Sequence, residues 1–333
     1  MIFFDVTKTG STAPLSGLTR VSRRLRDELG AVATEVKWDA SALAFEGPRA
    51  TAMTARDWYL TSELFSGHER PGFVEFLSRP PCRLAAIFHD AIPIKMPHIT
   101  WPQSVARHPG YMKLLARFDR VWAVSEASRQ ELAGFWHWQG LGKTPPIEVL
   151  PLGSDFDRRP RISPKERDSR PKAALKSRAS VLCLGILEPR KNQLFLLEVC
   201  EALWAEGLVF ELHLVGRINP HFGGPTIARV RALRRKRPSL LHYHEAAGDA
   251  ALAGLYANAR VAVLPTLAEG CGLPILEALW MNVPVVCSDL PVLQENTGGG
   301  GCLAVTPDDH EAWKAALRSV LTEDTLHARL AEE

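Results

Sequence analysis

No two of the six cysteines (82, 183, 200, 271, 287 and 302) form a CxxC pair, so their spacing signals neither a zinc site nor a disulfide framework. Several sit in apolar runs such as "VLCLG" and "PVVCS", which reads as buried, reduced thiols in a cytosolic protein. No window reaches the ~18 apolar residues of a membrane-spanning helix. The opening "MIFFDVTKTG" lacks the basic start and long apolar stretch of a secretion signal, so the expected location is cytoplasmic. A formal net charge of +3 and a pI of about 8.5 are too mild to argue for a nucleic-acid partner. No strand leads into GxGxxG, and "TGGGG" falls in a loop context, which disfavours a dinucleotide site.

What is present suits a soluble globular chain, with 46% hydrophobic and 23% charged residues. A length of 333 residues exceeds one comfortable core and fits two domains. Basic residues concentrate at Arg158 to Arg178 and in "RVRALRRKR" (229 to 237). Each stretch reads as a solvated face, with contact to an anionic membrane surface or an anionic acceptor as the alternative. The segment 154–178 is rich in Arg, Lys, Pro and Ser and has almost no apolar periodicity. It is read as a linker between domains at 1–153 and 179–333.

Each half alternates strand and helix signals. In the first, "IFFDV" reads as a buried strand, and after a polar loop Leu18, Val21, Leu25 and Leu29 recur at helical spacing. "ATEVKW", "RLAAIFHD" and "RVWAVS" are further strands, and Ser125 reads as the N-cap of a helix through "EASRQELAGFW". The second half offers "SVLCLGIL", "FELHLVG", "LLHYHE", "VAVLPT" and "VPVVCS", with helices over Gln193–Glu206, around Ile227–Lys236, from Asp249 and from Pro274. The predicted fold class is therefore α/β, two doubly wound lobes with parallel sheets. The loops after "FFDV", "IFHD", "CLG", "LVG" and "VLP" are expected to face a cleft between them.

Two glutamates, Glu269 and Glu277, stand eight residues apart in "PTLAEGCGLPILEALWMNVPVV". "VAVLP" supplies a strand, so "TLAEGCG" is its C-terminal loop and Pro274 is placed at the first helical position. Gly270 and Gly272 permit close backbone approach, and the amides at the helix start make an anion site. Carboxylates beside such a site accept hydrogen bonds from sugar hydroxyls. Taken singly, Glu277 is equally a partner for the helix dipole in the first turn and Glu269 a solvated acid.

The longer string "EGCGLPILEALWMNVPVVCSDLPVLQENTGG" resembles the E-x7-E signature of retaining GT-B glycosyltransferases of family 4. "LGILEPRKNQLFLLEVCEAL" resembles the phosphate-binding segment of that family, in its "E-P-R-K-N" branch. "SGLTRV" and "FHDAIP" are similar to its glycine loop and His-Asp loop. The resemblance covers nearly the whole chain and is strongest from 181 to 298.

It implies that Glu277 accepts hydrogen bonds from the nucleotide ribose and that Glu269 meets the transferred sugar. Arg190 and Lys191 would neutralise the leaving diphosphate, with Arg217 as a further cation and Gly270, Gly272 and Leu273 on the donor-binding turn. His89 and Asp90 would face the donor sugar, and Gly17, with Arg20 one turn on, the donor phosphates or the acceptor. One departure is Ile186, which stands where the family often carries an arginine. Asn282 replaces a common glycine and tolerates the left-handed conformation expected there.

The implied function is retaining transfer of a hexose, first mannose, from a nucleotide diphosphate sugar to a glycan or lipid-linked acceptor. GDP-mannose is the first donor, with UDP- and dTDP-sugars behind it, and no metal or other cofactor is required. Peripheral contact with the inner face of an anionic membrane is allowed for. The alternatives are a non-catalytic nucleotide-sugar-binding protein in polysaccharide assembly and another GT-B activity such as a sugar-nucleotide epimerase. Many relatives end in a helix that crosses back to the first lobe, and that element is expected to be short or absent.

Overall fold

The computed structural model describes residues 1–10, 17–153 and 178–333. The chain divides into two compact units, Met1–Leu152 and Gly153–Glu333. The stretch read as a linker lies, except for Arg178, outside the described residues, as does the loop just before Gly17.

The first unit is built on β1 (Ile2–Asp5), β2 (Ala33–Asp39), β3 (Ala44–Glu46), β4 (Trp58–Thr61), β5 (Arg83–Phe88), β6 (Arg120–Ala123) and β7 (Ile147–Val149). They form one sheet in the order β3-β2-β1-β4-β5-β6-β7. All neighbours are parallel except β2 and β3, which pair antiparallel at the edge. Its main helices are α1 (Gly17–Leu29), α2 (Phe73–Ser78), α3 (Ile92–Lys95), α4 (Pro102–Leu115) and α5 (Glu126–Trp138). The Ser125 hydroxyl caps α5 by accepting from the Ser128 amide, the role read from the sequence. In α1 the face buried most deeply is Thr19 and Ser22 rather than the leucine stripe. Ser22 is held by a hydroxyl contact of 2.8 Å to Thr9, while Leu25 and Leu29 pack only partly buried against Phe4, Val6 and Leu60. Aromatic rings dominate the main core, with Trp38, Phe45, Tyr59, Phe73 and Phe76 in edge-to-face and tilted contact.

The second unit contains β8 (Ser180–Leu184), β9 (Glu211–Val215), β10 (Leu241–His244), β11 (Val261–Leu264), β12 (Val285–Ser288) and β13 (Cys302–Val305). Their order, β10-β9-β8-β11-β12-β13 and parallel throughout, is the dinucleotide-fold arrangement with a switch point between β8 and β11. The connecting helices are α6 (Gln193–Ala205), α7 (Gly224–Lys236), α8 (Asp249–Asn258), α9 (Leu273–Trp280) and α10 (Pro291–Thr297), followed by α11 (His310–Thr322) and α12 (Asp324–Glu332). In α7, Val230 and Leu233 enter the core while Arg231, Arg234, Arg235 and Lys236 are exposed, so the basic run is the solvated side of an amphipathic helix. Leu330 of α12 is buried in the same core, which seats the last described helix on the second unit.

The parallel strands bring β8 and β9 together closely at their C-terminal ends. Gly216 has φ +151°, and a Cβ there would stand 2.1 Å from the Gly185 carbonyl oxygen. Only glycine fits, so the loop after β9 lies directly against the loop after β8. Among the described residues no helix is long and apolar enough to cross a membrane.

Candidate active site

The switch point lies where β8 and β11 adjoin, and by the geometry of such sheets a ligand binds beyond their C-terminal ends. Two loops meet there. After β8 comes "GILEPRKN", in which Pro189–Lys191 forms a short 3-10 turn and Asn192, at φ +55°, leads into α6. After β11 comes Pro265–Gly272. The Leu267 amide and the Thr266 hydroxyl both donate to the Arg190 carbonyl, at 2.8 and 3.0 Å, so the loops are joined through backbone.

That joint places Glu269 between two cations. Its Oε1 accepts from Lys191 Nζ, and its Oε2 lies 3.2 Å from Arg190 Nη1. The same Arg190 nitrogen donates to the Ala268 carbonyl at 2.8 Å, while Nε and Nη2 both reach Glu188 Oε1. Asn219, from the loop after β9, donates to the other Glu188 oxygen at 3.0 Å. Burial alone pushes the Glu269 carboxyl up, but the Lys191 and Arg190 charges outweigh it and hold the group below the ordinary carboxylate value. It is ionised at neutral pH. Lys191 is itself buried, its chain methylenes against Gly185. An apolar environment strengthens the attraction between such charges.

Glu277 is buried and accepts from the Tyr256 hydroxyl at 3.0 Å. The helix carrying it begins at Leu273 with Gly272 as its cap, so Pro274 is the second helical residue and Glu277 lies past the first turn. The sequence reading put both Pro274 and Glu277 one residue early, which leaves Glu277 just past the first turn. A helix-dipole role for Glu277 loses its basis with that correction, because the dipole acts within the first turn. Gly272 has φ +80°, and a Cβ would meet Leu293 Cδ2 at 2.6 Å, so α10 packs close against the turn. Asn296 of α10 donates to the Cys271 carbonyl from the same side. The Cys271 thiol is pushed up to about 12, by burial first and then by Glu269, which makes it inert. Asn282 adopts φ +53°, the left-handed conformation expected of it.

Arg217 directly follows Gly216. Its carbonyl accepts from the Leu187 amide at 2.9 Å, and its side chain is exposed with no ion pair among the described residues. Ile186 contributes its carbonyl to the Gln193 side chain at 3.0 Å, so this position works through backbone.

The first unit carries the remaining candidates. His89 ends the β5 segment and donates through Nε2 to the Ser62 carbonyl at 2.9 Å. A carbonyl only accepts, which fixes the proton on Nε2 and leaves the lone pair on Nδ1. Burial lowers the His89 pKa against the pull of that carbonyl and of Asp90, so the ring is neutral. Asp90 accepts from the Ile92 amide at 3.0 Å through its side chain and from His108 at 2.9 Å through its carbonyl, and so turns the chain into α3. Gly17 opens α1 and is exposed. The structure thus assembles Glu269, Arg190 and Lys191 at one point, sets Glu277 beyond them on α9, and holds His89 and Asp90 together on the other unit.

Sequence reasoning missed a buried trio in the first unit. Arg70 donates to Asp5 at 2.6 Å and to Glu63, and all three side chains are at most 1% exposed. Asp5 also accepts from Tyr59 and Thr61 at 2.7 and 2.8 Å. Glu63 Oε1 accepts from the Lys8 and Thr9 amides, both at 2.7 Å, and thereby fixes the chain that leaves β1 toward the loop before α1. Burial raises the Asp5 carboxyl, but Arg70 and the hydroxyl donors bring it net below its ordinary value. The available signal was an aspartate closing the apolar run "IFF" at a strand's C-terminal end.

Residues 178–323 match the family described as "Glycosyl transferases group 1". A serotype-specific mannosyltransferase WbdA of Escherichia coli is 28% identical over 218 residues, which cover 63% of this chain and 26% of that protein. The O-antigen chain mannosyltransferase B of Escherichia coli is 31% identical over 207 residues, 62% of this chain and 52% of that one. The chain therefore spans about a quarter to a half of the length of these relatives. Among solved structures, sucrose-phosphate synthase from Thermosynechococcus elongatus superposes with a TM-score of 0.73 at 18% identity, covering 99% of this chain and 92% of that one. An alpha,alpha-trehalose 6-phosphate synthase from Burkholderia multivorans gives a TM-score of 0.66 at 13% identity, covering 97% and 72%. At that identity the likeness is one of fold, and the fold is GT-B.

Proposed function

We propose that this chain, whose residues 178–323 are a group 1 glycosyltransferase domain on a GT-B scaffold with mannosyltransferases as its curated homologues, transfers mannose from GDP-mannose to a glycan hydroxyl with retention. The observation that carries the reading is the pair of cations on Glu269 at the switch point of the second sheet. Breaking the bond between the sugar C1 and the donor phosphate leaves the electron pair on the diphosphate. Fixed positive charge at that place favours the transition state over the ground state. Lys191 and Arg190 supply it, and Glu269 holds both chains in position before the donor arrives and meets the sugar once it is bound. Glu277 takes the ribose hydroxyls, and Gly270, Gly272 and Leu273 give the turn on which the donor lies. Arg217 adds a mobile cation near the phosphates.

Retention is what the resemblance to retaining GT-B glycosyltransferases implies, by attack on the face the diphosphate leaves. The acceptor oxygen bonds to C1, the C1–O bond to phosphate breaks, and the acceptor proton passes to the departing phosphate oxygen. The acceptor, a glycan or lipid-linked glycan, is assigned to the first unit, while His89 and Asp90 keep the donor-sugar role and Gly17 the phosphate or acceptor role that the resemblance implies. For a lipid-linked acceptor, the exposed arginines of α7 provide peripheral contact with an anionic surface.

Proton NMR of the product formed from GDP-mannose and a mannose-terminated oligosaccharide tests this. The α-linked product is expected. A β-linked product overturns retention, and transfer from a UDP- or dTDP-sugar alone overturns the donor assignment.

A further inference from the structure

At the outer edge of the second sheet stands a group of side chains that plays no part in the transfer reaction. Glu211 and His213 are alternate residues of β9 and share the face opposite Leu212 and Leu214. On the edge strand β10, His242 is the register partner of His213 and His244 that of Val215, so both histidines lie on the same face as Glu211. Glu211, His213 and His242 each offer a ligand atom, all within 4.8 Å of one another, and they form the one such group among the described residues.

The separations are wide for direct hydrogen bonds and suit a shared cation. Glu211 Oε2 stands 3.4 Å from His213 Nε2 and 3.6 Å from His242 Nε2. Both exceed the roughly 2.7 to 3.2 Å of an N–H···O hydrogen bond. Two ligands bonded at about 2.0 to 2.1 Å to one tetrahedral ion are roughly 3.3 Å apart, close to the two separations from Glu211. His242 Nε2 is buried and has no hydrogen-bond partner, an expensive condition for a polar atom without a ligand. The other nitrogen of His213, Nδ1, lies 3.2 Å from His244 Nε2. With the proton on Nδ1, that contact turns the Nε2 lone pair toward Glu211, as outer-sphere partners orient metal-ligating imidazoles. The side chains are 15 to 33% exposed, so the group lies near the surface.

We infer that Glu211, His213 and His242 bind a divalent transition-metal ion of the zinc type, with His244 as the orienting partner of His213. Two imidazoles and a carboxylate with one open position form a borderline-soft donor set that suits Zn²⁺ and excludes Ca²⁺ and Mg²⁺, which require oxygen ligands. The ion clips the edge strand β10 to β9.

The test uses the untagged full chain, stripped with chelator and titrated with Zn²⁺ by calorimetry, then with Co²⁺ by visible absorption. One equivalent of Zn²⁺ is expected, with the intense visible bands of tetrahedral Co²⁺ and a higher melting temperature in Zn²⁺. His242→Ala and Glu211→Gln are each expected to weaken Zn²⁺ binding by about 10-fold or more. No saturable binding, or binding with unchanged affinity in the His213→Ala/His242→Ala double variant, overturns the assignment. A thiolate-to-cobalt charge-transfer band also overturns it, since it places the ion on cysteine. Because the cobalt spectrum is read on the unmodified chain, the test stands even where a variant fails to fold. It is equally independent of whether the chain transfers mannose.

Discussion

Replacing Lys191 with alanine is expected to lower kcat for transfer from GDP-mannose by about 100- to 1,000-fold, the scale on which one preorganised electrostatic contact acts in a transition state. The ammonium sits on Glu269 at the end of β8, within the second unit's switch point. Its charge gains its full value only when negative charge builds on the leaving diphosphate, so kcat falls more than KM rises. The fold tolerates the loss because Glu269 keeps Arg190 at 3.2 Å. Arg190→Ala is expected to be more disruptive structurally. That side chain also holds the Ala268 carbonyl and Glu188, and with them the joint between the two loops. Steady-state kinetics alongside thermal melts separates the two effects. A Lys191→Ala enzyme with unchanged kcat removes that lysine from the reaction.

Arg70→Met is expected to destabilise the first unit by about 3 to 5 kcal/mol, the cost of breaking a buried ion network from one side. The guanidinium is the only cation paired with Asp5 and Glu63 among the described residues, and both carboxylates are fully buried. Without it Asp5 is left as a buried charge with hydroxyl donors alone, while Glu63, already raised by burial, takes up a proton. For a unit of this size the melting temperature falls by roughly 6 to 20 °C. Adding Glu63→Gln to Arg70→Met is expected to change stability little at neutral pH, since Glu63 in the single variant is already protonated. Burial, reinforced by Asp5, already pushes Glu63 up to about 7 even with Arg70 present. A loss below about 1 kcal/mol in urea denaturation contradicts the account of this network.

Several apolar runs were legible in the sequence: "IFFD", "RLAAIF", "SVLCL" and "VAVL" all became strands within a residue or two of the expected bounds. The strands that escaped, β3, β4, β7 and β13, are three or four residues each. Since β1 and β11 are no longer than β4 and β13, length does not separate the two sets, and tertiary pairing defines the strands that escaped. Glu269, Lys191 and Arg190 were found because motif strings carried them. Their meeting on one point depends on the Arg190 carbonyl being shared by two loops 76 residues apart, which no local pattern encodes. The Asp5, Glu63 and Arg70 trio and the edge-strand histidines escaped for the same reason, since their partners come from separate segments of the chain. The stripe in α1 misled differently. Its leucines have the right period, yet Ser22 goes inward because Thr9 offers a hydroxyl to pair with it.

The most direct measurement on the central claim is a thermal melt of the purified chain against GDP, UDP, dTDP and ADP and their common sugars, repeated on Glu277→Ala. A ligand held 100-fold above its dissociation constant adds about 2.7 kcal/mol, which for the second unit is a rise of roughly 5 to 10 °C. The account predicts that rise with GDP and GDP-mannose and its loss in the variant, whose Tyr256 and helix α9 stay in place. A folded sample that shifts with none of the nucleotides, or shifts equally in Glu277→Ala, contradicts a nucleotide-sugar site at the switch point.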